Sequence, residues 1–443
     1  MIIMKFGGSS LANAERIRQV GKIIEMHRSE NPILVLSAIG KTTDDLIEAG
    51  QAAISGLVDS RKITERHFAI LSELMLSDTG VEELLDELSN LLKGISVVRE
   101  LTPRTMDHLL SFGERLSTRL FCAYLCQQGI IAEAIDGWTA GLVTTSTFNH
   151  AELLPESYDN ISIAFQHFKK GIPVITGFIA KDLNGAITTL GRGGSDLTAA
   201  VIGAALGVKE IQVWKDVHGI LSTDPRVLET AFPVPSISFE EAAELAYFGA
   251  KVLHPMSILP AMKKGIPVRV KNSYDSAHPG TLIVSNIAHN NGLVTAITYK
   301  PSQAMVHICS TRMLGQSGFL AKVFQVFADL RISVDVIATS EVSISLTLEN
   351  QKGLVELEKR LGEIATIRTQ QCKTIISLIG STRYSSQILE RSLQTLSQEG
   401  IVVQMISHGA SNVNTSLVVN DSEAKKSIHL LHEQFFPRGG VIL

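Results

Sequence analysis

The 443 residues, 45% hydrophobic and 19% charged with a net charge of −4 and a pI near 6.4, exceed one ordinary core and point to two or three globular domains. That balance excludes a disordered chain and leaves no basic face for nucleic acid, so an anionic ligand has to be held by local geometry. The longest apolar stretch, around Ala199–Val208, is roughly half of the ~20 residues of a membrane span, and the opening MIIMKFGG lacks the parts of a signal peptide. Cys122, Cys126, Cys309 and Cys372 are scattered without a His or Cys partner set, so the expectation is buried reduced thiols, no metal site and a cytoplasmic protein.

Along the chain, apolar runs of strand length alternate with longer helical periods. Strands are expected at Met1–Phe6, Ile33–Leu36, Ile130–Ala134, Pro173–Thr176, Glu210–Val213 and Val268–Val270, with helices at Leu11–Met26, Ile63–Leu76, Val81–Leu92 and Met106–Gln127. This alternation predicts an α/β domain with a mainly parallel sheet, and a helical insertion from about 50 to 110. After Pro279-Gly280 the pattern changes to two units of about 70 residues with the same order of short strands and amphipathic helices. The first is Ala304–Cys309, Gly318–Leu330, Ser333–Ala338, Val342–Leu348 and Lys352–Leu361. The second is Thr374–Leu378, Ser385–Glu399, Ile401–Ile406, Asn414–Val419 and Glu423–Phe435.

Several elbows follow the strands. MKFGGSS places Lys5 at a strand end before Gly7, Gly8, Ser9 and Ser10, so a close backbone approach, a helix N-terminus and one ammonium suit a polyphosphate; a tight turn with a solvated lysine is the plainer reading. SAIGKTTDDL (37–46) ends like a P-loop, but the first glycine that a P-loop needs is replaced by Val35, and what remains is a strand, a turn at Gly40 and a helix start at Thr42, Thr43 or Asp44. SFGERLSTRL (111–120) puts Glu114 and Arg115 at a helix start. TTLGRGGSDLTAA (188–200) surrounds Arg192 with glycines and opens an Ala-rich helix at Ser195-Asp196, one of which is expected to cap it. The elbows at 7–8, 40 and 191–194 all follow strands, and at the carboxyl ends of one open sheet they line a single crevice. WKDVHGILSTDPRVL (214–228) and AYFGAKVLHP (246–255) complete the set.

Taken in order, KFGG-S at 5–9, the 37–46 elbow, SFGERLS at 111–117, GRGGSD at 191–196, DVHGILSTDPR at 216–226, FGAKVLHP at 248–255, RMLGQSGFLAKVF at 312–324 and ISVDVIATSEVSISLTL at 332–348 resemble the aspartokinases of the amino acid kinase family. The resemblance spans nearly the whole chain. It implies an amino acid kinase fold over 1–285 and two C-terminal βαββαβ ACT domains, one at 304–370 and one assembled from 292–300 and 372–443. It also implies transfer of the γ-phosphoryl of ATP, carried with Mg²⁺, to the β-carboxylate of L-aspartate, giving 4-phospho-L-aspartate at the start of lysine, threonine and methionine (diaminopimelate) biosynthesis.

By resemblance, Lys5 bridges phosphate oxygens and Asp196 orients the lysines and donors around it. Arg192 takes the α-carboxylate of aspartate, Glu114 its α-ammonium, and Ser37, Thr43 and Ser195 line the same substrate. Gly7, Gly8 and Ser9 join Lys215, Asp216, Leu221, Arg226 and Lys251 at the ATP positions. Trp214-Lys215-Asp216 departs from the Trp-Thr-Asp of many bacterial members toward the plant form, and Leu221 stands where some members carry Tyr. An inhibitor site maps to Ser317, Gly318, Phe319, Leu320, Ala321, Ser333, Val334 and Asp335, with Asp335 suited to the ammonium of lysine. Paired ACT domains imply a homodimer or a dimer of dimers, with no nucleic-acid or membrane partner.

Three other readings compete. Another enzyme of the same fold, acting on glutamate, acetylglutamate, carbamate or UMP, fits SFGERLS and tandem ACT units less well. Fusion to a homoserine dehydrogenase needs a dinucleotide domain for which these 443 residues leave no length. A non-catalytic amino-acid sensor would not need Lys5, Glu114, Arg192 and Asp196 together.

Overall fold

The computed structural model describes residues 1–77, 79–168, 171–249, 253–287, 292–310, 317–349 and 353–437. The chain divides into two compact units. One holds Met1–Ile220, Pro235–Phe239 and Val252–Ile287; the other holds Leu221–Val234, Glu240–Lys251 and Ala288–Leu443.

In the first unit the described residues form an eight-stranded sheet in the order Ala132–Ile135, Ile172–Thr176, Pro32–Leu36, Ile2–Phe6, Ile211–Lys215, Val268–Asn272, Thr281–Val284 and Ser236–Ser238. The central strands are parallel, with Lys5 opposite Val35 on one side and Val213 on the other. Their apolar runs are buried along their length, as a sheet covered on both faces requires. Alternation along Ile2–Phe6 sends Ile2, Met4 and Phe6 into a core with Ile17, Val20, Ile24, Phe112, Leu116 and Trp214, while Lys5 turns to the opposite face. Chain order reverses beside Ile2–Phe6, and the strand ends there form the crevice expected at such a switch point.

Several boundaries differ from expectation for local reasons. The first helix begins at Ala14, after a 3₁₀ turn at Gly8–Leu11, because Asn13 accepts the Arg16 N–H at 3.0 Å and caps it. Glu114 is not at a helix start. Thr102 caps Thr105 with Pro103 at the first turn, so the helix runs Pro103–Gln127 and Glu114 lies mid-helix. Neither Ser195 nor Asp196 caps the helix Gly194–Leu206; Gly193, at φ 75°, occupies the cap position and leaves both side chains free for other contacts. The loop 191–194 follows Ile187–Thr189, which belongs to a separate three-stranded sheet with Val143–Thr144 and Ile179–Asp182. The thiols are not all buried: Cys122 is half-buried and Cys126, Cys309 and Cys372 are exposed. Cys126 falls one position past the buried stripe of Phe121, Tyr124 and Leu125, and Cys372 sits at φ 57° in a long strand.

The second unit is built on a six-stranded sheet among its described residues, ordered Ile337–Thr339, Ser343–Leu348, Val294–Cys309, Thr366–Gly380, Asn414–Asn420 and Met405–His408. The two repeats expected from the sequence share its two long strands. Val294–Lys300 pairs with Ile375–Gly380, and Met305–Cys309 pairs with Thr366–Gln370, with register shifts between Lys300 and Met305. One strand, with its register shifts around Pro301, therefore runs through the two segments, 292–300 and Ala304–Cys309, that were expected in separate domains. The strands expected at Ser333–Ala338 and Ile401–Ile406 shrink to Ile337–Thr339 and Met405–His408. Each half has its own core: Val306, Phe319, Val323, Phe327, Leu346 and Leu357 in one, and Ile297, Ile376, Ile388, Leu396, Leu417 and Ile428 in the other. Each such side chain stabilises the fold by about 2 kcal/mol on burial.

Candidate active site

The crevice of the first unit encloses about 290 Å³ and is lined by Lys5, Gly8, Ser37, Ala38, Gly40, Thr43, Glu114, Phe178, Gly191, Gly193, Gly194, Ser195 and Asp196. Its floor is a row of elbows zipped by backbone bonds: Gly7 N–H to Trp214 O at 3.2 Å, Ser37 N–H to Phe6 O at 3.1 Å and Gly177 N–H to Leu36 O at 2.9 Å. Gly8 is required by contact, since a Cβ there would lie 2.6 Å from the Ala38 carbonyl oxygen and 3.1 Å from that of Gly40. The helix Thr42–Ile54 resolves the choice among its first residues. Thr42 is buried and donates to Ile39 O at 2.6 Å while Arg66 donates to its hydroxyl, leaving Thr43 to face the crevice.

Lys5 Nζ lies 2.6 Å from Asp196 Oδ1, and Lys215 Nζ lies 3.4 Å from Asp196 Oδ2. Two parallel strand ends and one helix N-terminus thus converge on a single buried carboxylate. Burial pushes Asp196 up, but Lys5 and Lys215 outweigh it and hold the carboxyl below its usual range. Burial lowers the Lys215 ammonium despite Asp196, and the Lys5 charge adds to the lowering.

Glu114 stands on the other wall. Its Oε1 accepts the Ala38 N–H at 3.1 Å, whereas Oε2 is buried and has no hydrogen-bond partner. Gly113 allows this approach, because a Cβ there would meet that of Ala38 at 2.8 Å. Ser117 ties the same helix to Ser37 O at 2.8 Å. Burial pushes Glu114 up to about 8, against the Ala38 N–H and the Lys5 charge. Near neutral pH this carboxyl holds a proton, so the two lysines face one negative charge from Asp196, and the surplus positive potential with the helix N-terminus favours an anion.

The remaining expected residues are distributed as follows. Ser195 is buried in the lining, Gly7 and Ser9 are half-buried beside it, and the Ser9 carbonyl accepts from Tyr274. Arg192 is exposed at the loop tip, and Asp216 is exposed after the Ile211–Lys215 strand. Leu221 and Arg226 belong to the second unit, where Arg226 is exposed and forks onto Asp224 with a shortest contact of 2.7 Å. Lys251 lies outside the described residues. Phe178 was not foreseen: it lines the crevice at φ 69°, a conformation unusual for an aromatic residue, after the fully buried strand Ile172–Thr176. The Gly177 beside it, at the end of an apolar run, is the signal that could have marked a further elbow.

In the second unit, Ser317, Gly318, Leu320, Ala321 and Ser333 are exposed, Val334 is half-buried and Phe319 points into the core. The Asp335 side chain is 3% exposed and its seat is filled from within the chain. Lys300 Nζ lies 3.0 Å from both carboxylate oxygens and 2.9 Å from Glu349, and the Tyr247 hydroxyl donates to Oδ1 at 2.9 Å.

A parallel sheet whose glycine elbows gather two lysines, a buried Asp and an unsatisfied Glu, in a chain with a doubled βαββαβ sheet, defines an amino acid kinase carrying ACT domains. The sequence profile of the Amino acid kinase family matches residues 1–272, and that of an ACT domain matches 306–354 and 376–435. Aspartokinase 1, chloroplastic, of Arabidopsis thaliana is 48% identical over 99% of this chain and 80% of its own length. Lysine-sensitive aspartokinase 3 of Escherichia coli is 32% identical over 98% of this chain and 99% of its own. The crystal structure of E. coli aspartokinase III in complex with aspartate and ADP is similar with a TM-score of 0.79, at 32% identity over 98% of this chain and all 100% of that one. Clostridium acetobutylicum aspartate kinase gives 0.85 at 26% identity, over 98% and 100%. The chain belongs to the aspartokinases. Among the described residues, no helix is long and apolar enough to cross a membrane.

Proposed function

We propose that the chain transfers the γ-phosphoryl group of ATP to the β-carboxylate of L-aspartate. One observation carries the reading: Glu114 Oε2 is a buried acceptor without a donor, facing a crevice that also holds Lys5 and Asp196. An α-ammonium is the group that satisfies it, since a charged donor stabilises a buried carboxylate that burial alone disfavours. E. coli aspartokinase III binds aspartate and ADP, which supports the same ligands here.

The acceptor carboxylate has a pKa near ~4 and is already ionised, so no general base is needed. A β-carboxylate oxygen attacks the γ-phosphorus, the bond to the β,γ-bridging oxygen breaks, and ADP leaves with that electron pair. Lys5 and the N–H of Gly8 neutralise the passing phosphoryl group, the Gly7 N–H being held instead by the Trp214 carbonyl, and Asp196 aims Lys5 and Lys215 at it. Arg192, swung in from the loop tip, takes the α-carboxylate. Mg²⁺, bound to the nucleotide phosphates, supplies further charge neutralisation when ATP is present. The product, 4-phospho-L-aspartate, is a mixed anhydride, and the biosynthetic place we assign is the first step toward lysine, threonine and methionine. The exposed free thiols Cys126, Cys309 and Cys372 suit a reducing compartment such as the cytoplasm.

Lysine is the effector we assign to Asp335, supported by E. coli aspartokinase III, whose structure with lysine and aspartate is also similar to this chain. Because Lys300 already presents an ammonium to Asp335, free lysine binds by displacing it. A homodimer or dimer of dimers through the ACT domains is the assembly we assign, on the likeness to the aspartokinases.

A coupled ADP-release assay tests the reading with aspartate, glutamate, N-acetylglutamate and N-acetylaspartate as acceptors, each with and without lysine. Aspartate alone should support turnover. Equal turnover with N-acetylaspartate, which has no ammonium for Glu114, would refute the assignment.

A further inference from the structure

One fully buried carboxylate beside the crevice has no role in the chemistry above. Asp107 lies two turns before Glu114 on the same helix and is 0% exposed. It accepts the Asn149 N–H at 3.1 and 3.0 Å, the Thr189 N–H at 3.0 Å and the Thr189 hydroxyl at 2.8 Å. A buried carboxylate is disfavoured unless its lone pairs are met, and donors from two separate segments meet these.

Both segments lead to the Arg192 loop. Thr189 ends a strand two residues before Gly191, and its carbonyl accepts the Ala151 N–H at 2.9 Å. Leu190 N–H is bonded to Phe178 O at 2.9 Å. On Gly191 a Cβ would lie 2.8 Å from His150 Nδ1 and 3.3 Å from Asn149 O, so the loop root rests on the segment that Asp107 also holds. The Glu114 helix and the root of 191–194 are therefore fastened to each other through one side chain.

We propose that Asp107 is a positioning residue that sets the distance between Glu114 and Arg192, and so makes the site fit the ammonium and α-carboxylate of an α-amino acid. This rests on the substrate reading above. Asp107 touches no substrate. It acts by fixing where the loop starts.

Steady-state kinetics of the full chain test it. Asp107→Asn keeps the shape but turns an amide NH₂ toward N–H donors, so at least one bond is lost. We expect the KM for aspartate to rise about tenfold while the KM for MgATP stays within about twofold, because a displaced anchor penalises only the ligand it holds. Arg192→Ala alone should raise the aspartate KM about tenfold or more, and adding Asp107→Asn to it should change that by less than about twofold, the signature of two residues acting as one. β-Alanine, which is aspartate without the α-carboxylate, should inhibit the parent and Asp107→Asn equally. Additive effects in the cycle, or a MgATP KM rising in step with that of aspartate, would overturn the positioning role and leave the substrate reading standing. An aspartate KM unmoved by Arg192→Ala would overturn the substrate reading itself. If Asp107→Asn does not fold, Thr189→Val removes one hydroxyl donor alone. It should raise the aspartate KM about threefold, and no rise would overturn the proposal.

Discussion

Replacing Glu114 by Gln separates what this residue costs the fold from what it gives the substrate. The folded carboxyl titrates at about 8 against 4.5 for the unperturbed group, and burial is the main cause. Below pH 4.5 both the folded and unfolded chains hold the proton, and the group adds no pH dependence. Between 4.5 and about 8 the unfolded chain has released it while the folded chain has not, so stability falls as pH rises through that window. At 1.36 kcal/mol per pH unit the loss reaches about 5 kcal/mol at pH 8 and then levels off. Glutamine has the same shape and no titration, so Glu114→Gln should match the parent's melting temperature near pH 4 and exceed it clearly at pH 9.

The same proton reports on the ligand. If an ammonium docks at Oε2, aspartate binding at pH 7 must strip the proton from Glu114. Calorimetry in buffers of different ionisation enthalpy should then show release of about one proton per site, and the aspartate KM should fall as pH rises from 6 toward 8. In Glu114→Gln the release should vanish, and affinity should drop ten- to a hundredfold, about the 1.5–3 kcal/mol of one charged hydrogen bond. A variant that melts with the parent at pH 9, or a parent that binds aspartate at pH 7 without releasing protons, would refute the argument.

Lys5→Ala should abolish aspartate-dependent ADP release while circular dichroism stays native, since Lys215 remains to pair Asp196; normal turnover would displace the phosphate site from Lys5. Gly8→Ala should raise the MgATP KM at least about tenfold, because the elbow must shift to relieve the contact with Ala38 O; unchanged kinetics would show that the elbow does not touch nucleotide. Lys300→Met should lower the lysine concentration needed for half-inhibition by removing the internal competitor, whereas Asp335→Ala should remove lysine inhibition. An inhibition curve unaltered in both would move the effector site elsewhere. A fall in melting temperature should accompany Lys300→Met, since Asp335 keeps only Tyr247 and its buried charge loses its partner.

What the sequence by itself determined is what short stretches of chain encode. Apolar runs ending in Gly7-Gly8, in Gly40 and in Gly191–Gly194 mark strand ends and elbows because a strand's burial and a glycine's backbone freedom are properties of a few consecutive residues. Lys5, Ser195 and Asp196 stand at those elbows for that reason, and the repeat after Pro279 was legible as a pattern, whereas the choice of Thr43 over Thr42 and Asp44 for the crevice came from the fold. The tertiary structure alone decided what depends on distant segments meeting. The protonation of Glu114 comes from burial, which prevails over the opposing N–H of Ala38, 76 positions away. Lys215 joins Lys5 because parallel pairing sets Trp214 beside Phe6, which brings the next residue to the same end of the sheet. Lys300 fills the seat at Asp335 because one strand passes through Pro301 rather than stopping there. Electrostatic partners and burial are sums over the whole fold, and no window along the chain contains them.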